Sequence, residues 1–208
     1  MDGFRVVEDN PEFLVVVKYA GVDMHDDNGI PGLVSRVSVF LNQPVYPVHR
    51  LDKVTSGLVI LAKTPEAAHQ LSDLFARREI KKTYLAVSDR KPKKKQGWIR
   101  GDMGKARNGS WKLLHSMENP AITFFESKAL AVPGFRLFIV SPATGKTHQI
   151  RVALKSISAP IYGDQRYGGT EADRTYLHAF RLGFSFMGQQ YQFTDLPDWS
   201  SFSLVCIQ

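Results

Sequence analysis

The sequence predicts an α+β fold in which strands outnumber helices. Short apolar runs of strand length, such as Leu14–Val17 and Leu58–Leu61, recur more often than helical spacing does. Turn residues punctuate them at short intervals, and neither an internal repeat nor a long linker interrupts the series. With 208 residues, 43% of them hydrophobic and 23% charged, the chain is long enough for one compact domain with a substantial core or for two small ones, and it is read as one domain over residues 1–208.

Phe4 to Glu8 and Phe13 to Tyr19 read as two strands joined by Asp9-Asn10-Pro11. Gly21 through Gly32 is rich in Asp, Asn and Gly and reads as loop. Leu33, Val37, Phe40 and Leu41 fall at helical spacing. A strand ends near Arg50, and Gly57 to Lys63 is a buried strand. Thr64-Pro65-Glu66 then opens a helix, with Thr as cap, Pro at the first position and Glu against the dipole. Its apolar stripe is Ala67, Leu71, Leu74 and Phe75. Thr83 to Val87 returns as a strand, followed by a basic, turn-rich stretch. Ile122–Leu130 and Phe135–Val140 form a hairpin around Val132-Pro133-Gly134, and Thr147–Ile157 is a helix. Tyr176–Phe186 and Tyr191–Thr194 close the chain as strands separated by Met187-Gly188.

Charge narrows the function. The formal net charge is +7, and the segment from Arg77 to Lys112 carries thirteen Lys and Arg against Glu79, Asp89 and Asp102. That segment is therefore +10 and the remainder about −3. A basic region on a slightly acidic body reads as a docking surface for a polyanion; the alternative is a solvated loop that aids solubility. The apolar runs are too short to span a bilayer, and Lys91-Pro92-Lys93-Lys94-Lys95 has no amphipathic helix attached to it. The N-terminus shows no secretion signal, and the single cysteine, Cys206, suits a reducing cytoplasm. The six histidines show no zinc spacing, so no metal is expected.

Two segments could carry chemistry. Asp52 lies in a polar turn with Lys53, Thr55, Ser56 and Gly57, where a carboxylate faces a cleft or solvent, or simply closes an Asx turn. Thr144-Gly145-Lys146-Thr147-His148-Gln149-Ile150-Arg151 invites a phosphate-loop reading, which fails because Val140 stands where the first glycine is needed. Helical spacing puts His148, Arg151 and Lys155 on one polar stripe beside the core face, as a cleft lining or a plain helix surface. Ser56 lacks the glycine-flanked elbow of a serine hydrolase.

These segments together resemble the RluA-type pseudouridine synthases, isomerases of ribosomal and transfer RNA uridines. The likeness runs through His49-Arg50-Leu51-Asp52-Lys53-Val54-Thr55-Ser56-Gly57-Leu58, Lys82-Thr83-Tyr84-Leu85-Ala86 and Thr144 to Arg151. It continues through Tyr162-Gly163-Asp164 with Tyr167-Gly168-Gly169, and Leu177-His178-Ala179. Five blocks in order across most of the chain are a specific signature. Lys146 stands where the family commonly has Arg, Ala153 where it has His, and Tyr19 where it has Pro.

The resemblance implies a mixed, mainly antiparallel sheet with flanking helices and a central basic cleft, here without the small N-terminal RNA-binding domain of many relatives. It implies Asp52 as the catalytic carboxylate, Arg151 as its charge partner, and Tyr84 against the uracil. Arg50, Ile60, His148 and Leu154 become substrate-binding positions, with Ile60 and Leu154 as an apolar floor. Arg77, Arg78, Lys81, Lys82, Lys93, Lys94 and Lys95 would follow the RNA backbone. Structured RNA, ribosomal or transfer, is then the partner of a cytoplasmic monomer that needs no cofactor. A glycoside-type hydrolase would need a second carboxylate beside Asp52, for which Asp164 is the nearest suggestion. A binding module that has lost catalysis would lack the acid or the arginine, and both are present.

Overall fold

A computed structural model describes residues 3–202, so Cys206 lies outside the described residues. The chain divides into two compact units: Met1–Lys82 with His178–Leu196, and Thr83–Leu177 with Pro197–Gln208.

The first unit begins with β1 (Phe4–Asp9) and β2 (Phe13–Lys18), then α1 (Leu33–Leu41), β3 (Tyr46–Pro47), β4 (Ser56–Ala62) and α2 (Pro65–Ala76). It is completed from the far end of the sequence by β11 (Leu177–Phe186) and β12 (Gln189–Thr194). Its strands run in the order β1-β2-β4-β11-β12, with β3 also on β4. Only β4 and β11 pair in parallel; the other pairs of this unit are antiparallel. All six residues of β2 and all seven of β4 are buried, which is why both read as continuous apolar runs rather than alternating ones. Phe13, Val15, Val17, Leu58 and Ile60 pack with Leu182 and Phe184 and with Ala67 and Leu71 of α2. Each large apolar side chain buried in this way contributes about 1.5–3 kcal/mol.

Helix α2 starts as its residues dictate. Thr64 is extended, its hydroxyl accepts the Ala67 N–H at 3.1 Å, and Pro65 takes the first helical position. Helix α1 buries Leu33 and Val37, but Phe40 is exposed and touches Phe4 edge-on at 5.7 Å. The strand expected to end near Arg50 stops at Pro47, so Asp52 sits on a longer irregular connection between β3 and β4.

The second unit holds β5 (Lys81–Ser88), β6 (Gln96–Gly101), β7 (Met103–Lys105), β8 (Trp111–Leu113), β9 (Ala121–Ala129), β10 (Arg136–Pro142) and α3 (Gln149–Ser156). The order β5-β10-β9-β6 is antiparallel throughout, and β7 with β8 forms a separate ribbon. The basic stretch expected to be turns therefore contains three strands. Helix α3 is shorter than the expected Thr147–Ile157, because His148 adopts a left-handed conformation (φ 56°) that a helix interior cannot hold. Thr123, Phe125 and Val140 share the face that receives α3, and Tyr84 lies opposite Val140 on the same face. No helix among the described residues is long and apolar enough to cross a membrane.

Candidate active site

In the first unit the turn carrying Asp52 is fixed on both flanks. On the N-terminal side, the His49 ring stacks on Phe75 at 4.5 Å and its Nε2 accepts the backbone N–H of Ile60 at 2.9 Å. Burial, with the Lys82 charge adding to it, pushes the His49 pKa down to about 3, so the ring stays neutral and remains an acceptor. At the turn itself, Thr55 N–H donates to the Asp52 carbonyl at 3.0 Å. Asp52 is half-buried and Arg50 is exposed.

On the C-terminal side, Ser56 Oγ lies 3.0 Å from His178 Nδ1, and both side chains are buried. The opposite nitrogen, Nε2, faces the Asp195 carbonyl at 2.9 Å and Asp195 Oδ2 at 3.2 Å. Two acceptors there call for a proton on Nε2. Arg5 pairs with the same aspartate. Ser56 and His178 are direct neighbours across the parallel β4–β11 ladder. The approach is close enough to require Gly57 (φ 116°), where a Cβ would stand 2.4 Å from the Ala179 carbonyl oxygen.

Lys18 is a component that sequence reasoning missed. Fully buried at the end of β2, its Nζ donates to the carbonyls of Tyr19 (3.1 Å), Val22 (2.7 Å) and Lys53 (3.3 Å). Three acceptors match the three protons of an ammonium. Burial lowers its pKa from 10.5 to about 8, while Asp23 and then Asp52 pull it upward and Lys53 pushes it down. At neutral pH a buried positive charge therefore acts on Asp52 and holds the carbonyl of the next residue.

The second unit builds around Arg151. It is 4% exposed; its Nε donates to Asp164 Oδ2 at 2.7 Å and Nη2 to Oδ1 at 2.8 Å. Asp164 is itself 2% exposed, so this is a buried bidentate pair. The Tyr167 ring lies 4.9 Å below the Arg151 guanidinium and 5.7 Å from Lys155 Nζ. His148 Nδ1 lies 2.7 Å from the Tyr167 hydroxyl, which also accepts the Trp111 N–H at 3.1 Å. The polar stripe of His148, Arg151 and Lys155 thus converges on one tyrosine, although His148 precedes the helix. The same connection carries Gly169, where a Cβ would stand 2.0 Å from the Ile161 carbonyl oxygen.

Gln149 anchors this helix to the sheet. Its carboxamide oxygen accepts from Thr144 Oγ1 (2.7 Å) and Lys146 N (2.9 Å), and its nitrogen donates to the Ile122 carbonyl and Thr123 Oγ1, both at 3.0 Å. A buried amide satisfied four times fixes the start of α3 and hence the direction of Arg151. Tyr84 and Leu154 are buried in this unit, and Ile60 is buried in the core of the first. Arg77, Arg78 and Lys81 are exposed, as are Lys93, Lys94 and Lys95, while burial lowers the pKa of the half-buried Lys82. No cluster of three potential metal ligands occurs among the described residues.

The sequence model of the family described as RNA pseudouridylate synthase matches residues 12–156. A Haemophilus influenzae protein described as an uncharacterized RNA pseudouridine synthase is 52% identical over 201 residues, which are 95% of this chain and 89% of that relative. The ribosomal large subunit pseudouridine synthase C of Rickettsia bellii is 38% identical over 147 residues, 66% of this chain; the chain spans about half of that relative, 48%. In fold, the chain is similar to human RNA pseudouridylate synthase domain containing 1, with a TM-score of 0.82 at 23% identity, covering 97% of this chain and 89% of the other. Human RNA pseudouridylate synthase domain containing 4 follows with a TM-score of 0.73 at 23% identity, covering 93% and 88%. With more than half of its length matched by the family and a relative sharing half of its residues, this chain belongs to the RNA pseudouridine synthases, isomerases that act on RNA.

Proposed function

We propose that this protein converts particular uridines of ribosomal or transfer RNA to pseudouridine, with Asp52 as the reacting carboxylate. The observation that carries the reading is the construction of the Asp52 turn. A half-buried acid sits in a turn closed by Thr55 N–H on its own carbonyl and anchored on its flanks through His49 and Ser56, with the buried Lys18 ammonium acting on it. That arrangement supports a carboxylate held in one position beside a buried positive charge.

The reaction breaks the bond between N1 and C1′, turns the uracil, and joins C5 to C1′. C5 loses a proton and N1 gains one, so the change is redox-neutral and needs no external group. An ionised Asp52 supplies an oxygen at C1′, as a nucleophile or as a stabiliser of positive charge on the sugar. Tyr84 is assigned to the uracil face and to removal of the C5 proton. Arg151, aimed by Asp164, is assigned as the charge partner of Asp52. The uridine must leave its stack, at a cost of about a few kcal/mol in a duplex. Ile60 and Leu154 are assigned to the apolar floor, Arg50 and His148 to substrate contacts. Arg77, Arg78, Lys81, Lys82 and Lys93 to Lys95 are assigned to backbone phosphates. The protein works in this reading as a cytoplasmic monomer without a cofactor. The hydrolase alternative loses its second acid, since both oxygens of Asp164 are engaged by Arg151.

The test uses RNA carrying tritium at uridine C5. Purified protein should release tritium and leave pseudouridine in the nucleoside digest. Free uracil would identify a hydrolase and unchanged RNA a binding module, and either overturns the proposal. Comparing pseudouridine maps of RNA with and without the gene then names the target.

A further inference from the structure

The second unit has a sheet face that the site above does not use. Strands β9 and β10 turn Thr123, Phe125 and Val140 toward α3, and β6 extends the same sheet beside β9. Their opposite face presents Trp98 and Arg100 from β6 and Ile122, Phe124, Glu126 and Lys128 from β9. Trp98 is 56% exposed, although its cross-strand partner Phe124 is half-buried and only 5.1 Å away. The Arg100 guanidinium stands 5.1 Å from the indole centroid, and both Arg100 and Lys128 are exposed.

A tryptophan left open on a sheet, braced by a second aromatic ring and carrying a cation, is costly in water and suited to a flat π-surface with phosphates beside it. The chain entering β6 supplies more cations. Lys93, Lys94 and Lys95 are all exposed, and the Lys95 carbonyl is pinned beside β9 by Ser127, whose N–H donates at 2.6 Å and hydroxyl at 3.1 Å. Three lysines are thus held at one end of the Trp98 strand, with Arg100 beyond the indole. Glu126 is the one acid on this face of β6 and β9. Cationic flanks around an exposed aromatic centre favour a polyanion with stacking bases over an apolar protein surface.

We propose that this face binds single-stranded RNA outside the uridine site, with one unpaired base stacked on Trp98 and the adjoining phosphates held by Arg100 and the Lys93–Lys95 loop. The inference rests on the RNA-isomerase reading for its choice of partner. It gives the protein a second hold on its substrate, on the sheet face turned away from Tyr84 and α3.

Binding of the full chain to a fluorescent single-stranded oligouridylate, followed by anisotropy, tests it. Trp98→Ala should weaken binding on the order of tenfold, the usual effect of removing one stacking ring. Trp98→Phe, which keeps a ring, should recover most of that loss. With folded bulk RNA as substrate, Trp98→Ala should raise KM while kcat at saturating RNA stays unchanged. Arg100→Ala should weaken binding and flatten its salt dependence. Unchanged oligouridylate affinity in a folded, active Trp98→Ala enzyme overturns the proposal. So does a change in oligomeric state with Trp98→Ala, which would make the face a contact between copies of the chain. If wild-type protein binds oligouridylate through Trp98 but yields no pseudouridine from any RNA, the isomerase reading falls and this face stands.

Discussion

Asp52 and Arg151 are held in opposite ways. Asp52 is half-buried on an irregular turn whose supports act mainly through backbone: Ile60 N–H on His49, Thr55 N–H on the Asp52 carbonyl, and Lys18 on the Lys53 carbonyl. Arg151 is 4% exposed inside a helix, and its own side chain is gripped by both oxygens of Asp164 and by the ring of Tyr167. The arginine is part of the packing, whereas the acid is presented by it. Substitutions around Arg151 should therefore cost stability first, and substitution of Asp52 should cost activity alone.

The largest stability effect is expected at Asp164. Asp164→Ala leaves a buried guanidinium short of its partner, and loss of one member of such a pair costs about 3–5 kcal/mol. Chemical denaturation should show the midpoint falling accordingly; a loss below about 1 kcal/mol would mean that the pair is not what holds Arg151. His178→Ala comes next. It removes the ring that links the buried Ser56 hydroxyl to Asp195, at about 1–3 kcal/mol for the buried hydrogen bonding lost. Because the Ser56 end lies four residues from Asp52, kcat should fall along with stability. Asp164→Ala and His178→Ala thus probe the two halves of the comparison with one pair of measurements.

Lys18 sharpens the comparison through pH. Its charge is present below about pH 8 and is lost above it. Activity should fall as pH rises through about 8, and Lys18→Met should flatten that limb while lowering the plateau. Unfolding does not mimic this limb. The unfolded chain keeps the lysine proton up to about 10.5, so it binds more protons than the native state between pH 8 and 10.5. Over that window the Lys18 contribution to stability rises with pH. An activity loss at pH 9 with an undiminished melting temperature is the expected pairing. A smaller effect is expected at the α2 cap, where Thr64→Ala should cost about 1 kcal/mol and leave kcat untouched.

Much of this was legible in the sequence, and the reasons differ by residue. The strands β2 and β4 announced themselves because both faces are buried, and the α2 start because Thr64-Pro65-Glu66 carries its own capping chemistry. Asp52, Tyr84 and Arg151 were singled out through the order of five motif blocks, which no periodicity supplies. The strands β6, β7 and β8 were hidden because charged and turn-forming residues dominate Lys91 to Lys112, with Ile99 the one fully inward apolar side chain of β6. His148 falls at helical spacing, yet its backbone is left-handed, and nothing local forbids the helix. Lys18 reads as the polar end of a strand. Its burial comes from Val22 and Lys53, brought to it by the fold. The links from Arg151 to Asp164, and from Ser56 to His178 and Asp195, join residues that only tertiary structure brings together.

In the proposed function Asp52 performs the chemistry without holding the fold. Asp52→Asn keeps the size and polarity of the side chain and removes its charge. The measurement is tritium release from C5-labelled RNA by this variant, alongside its melting temperature and RNA affinity. No release should be detectable, with stability within about 0.5 kcal/mol of the parent and RNA binding intact. Release at the parent rate by the folded variant would contradict that role.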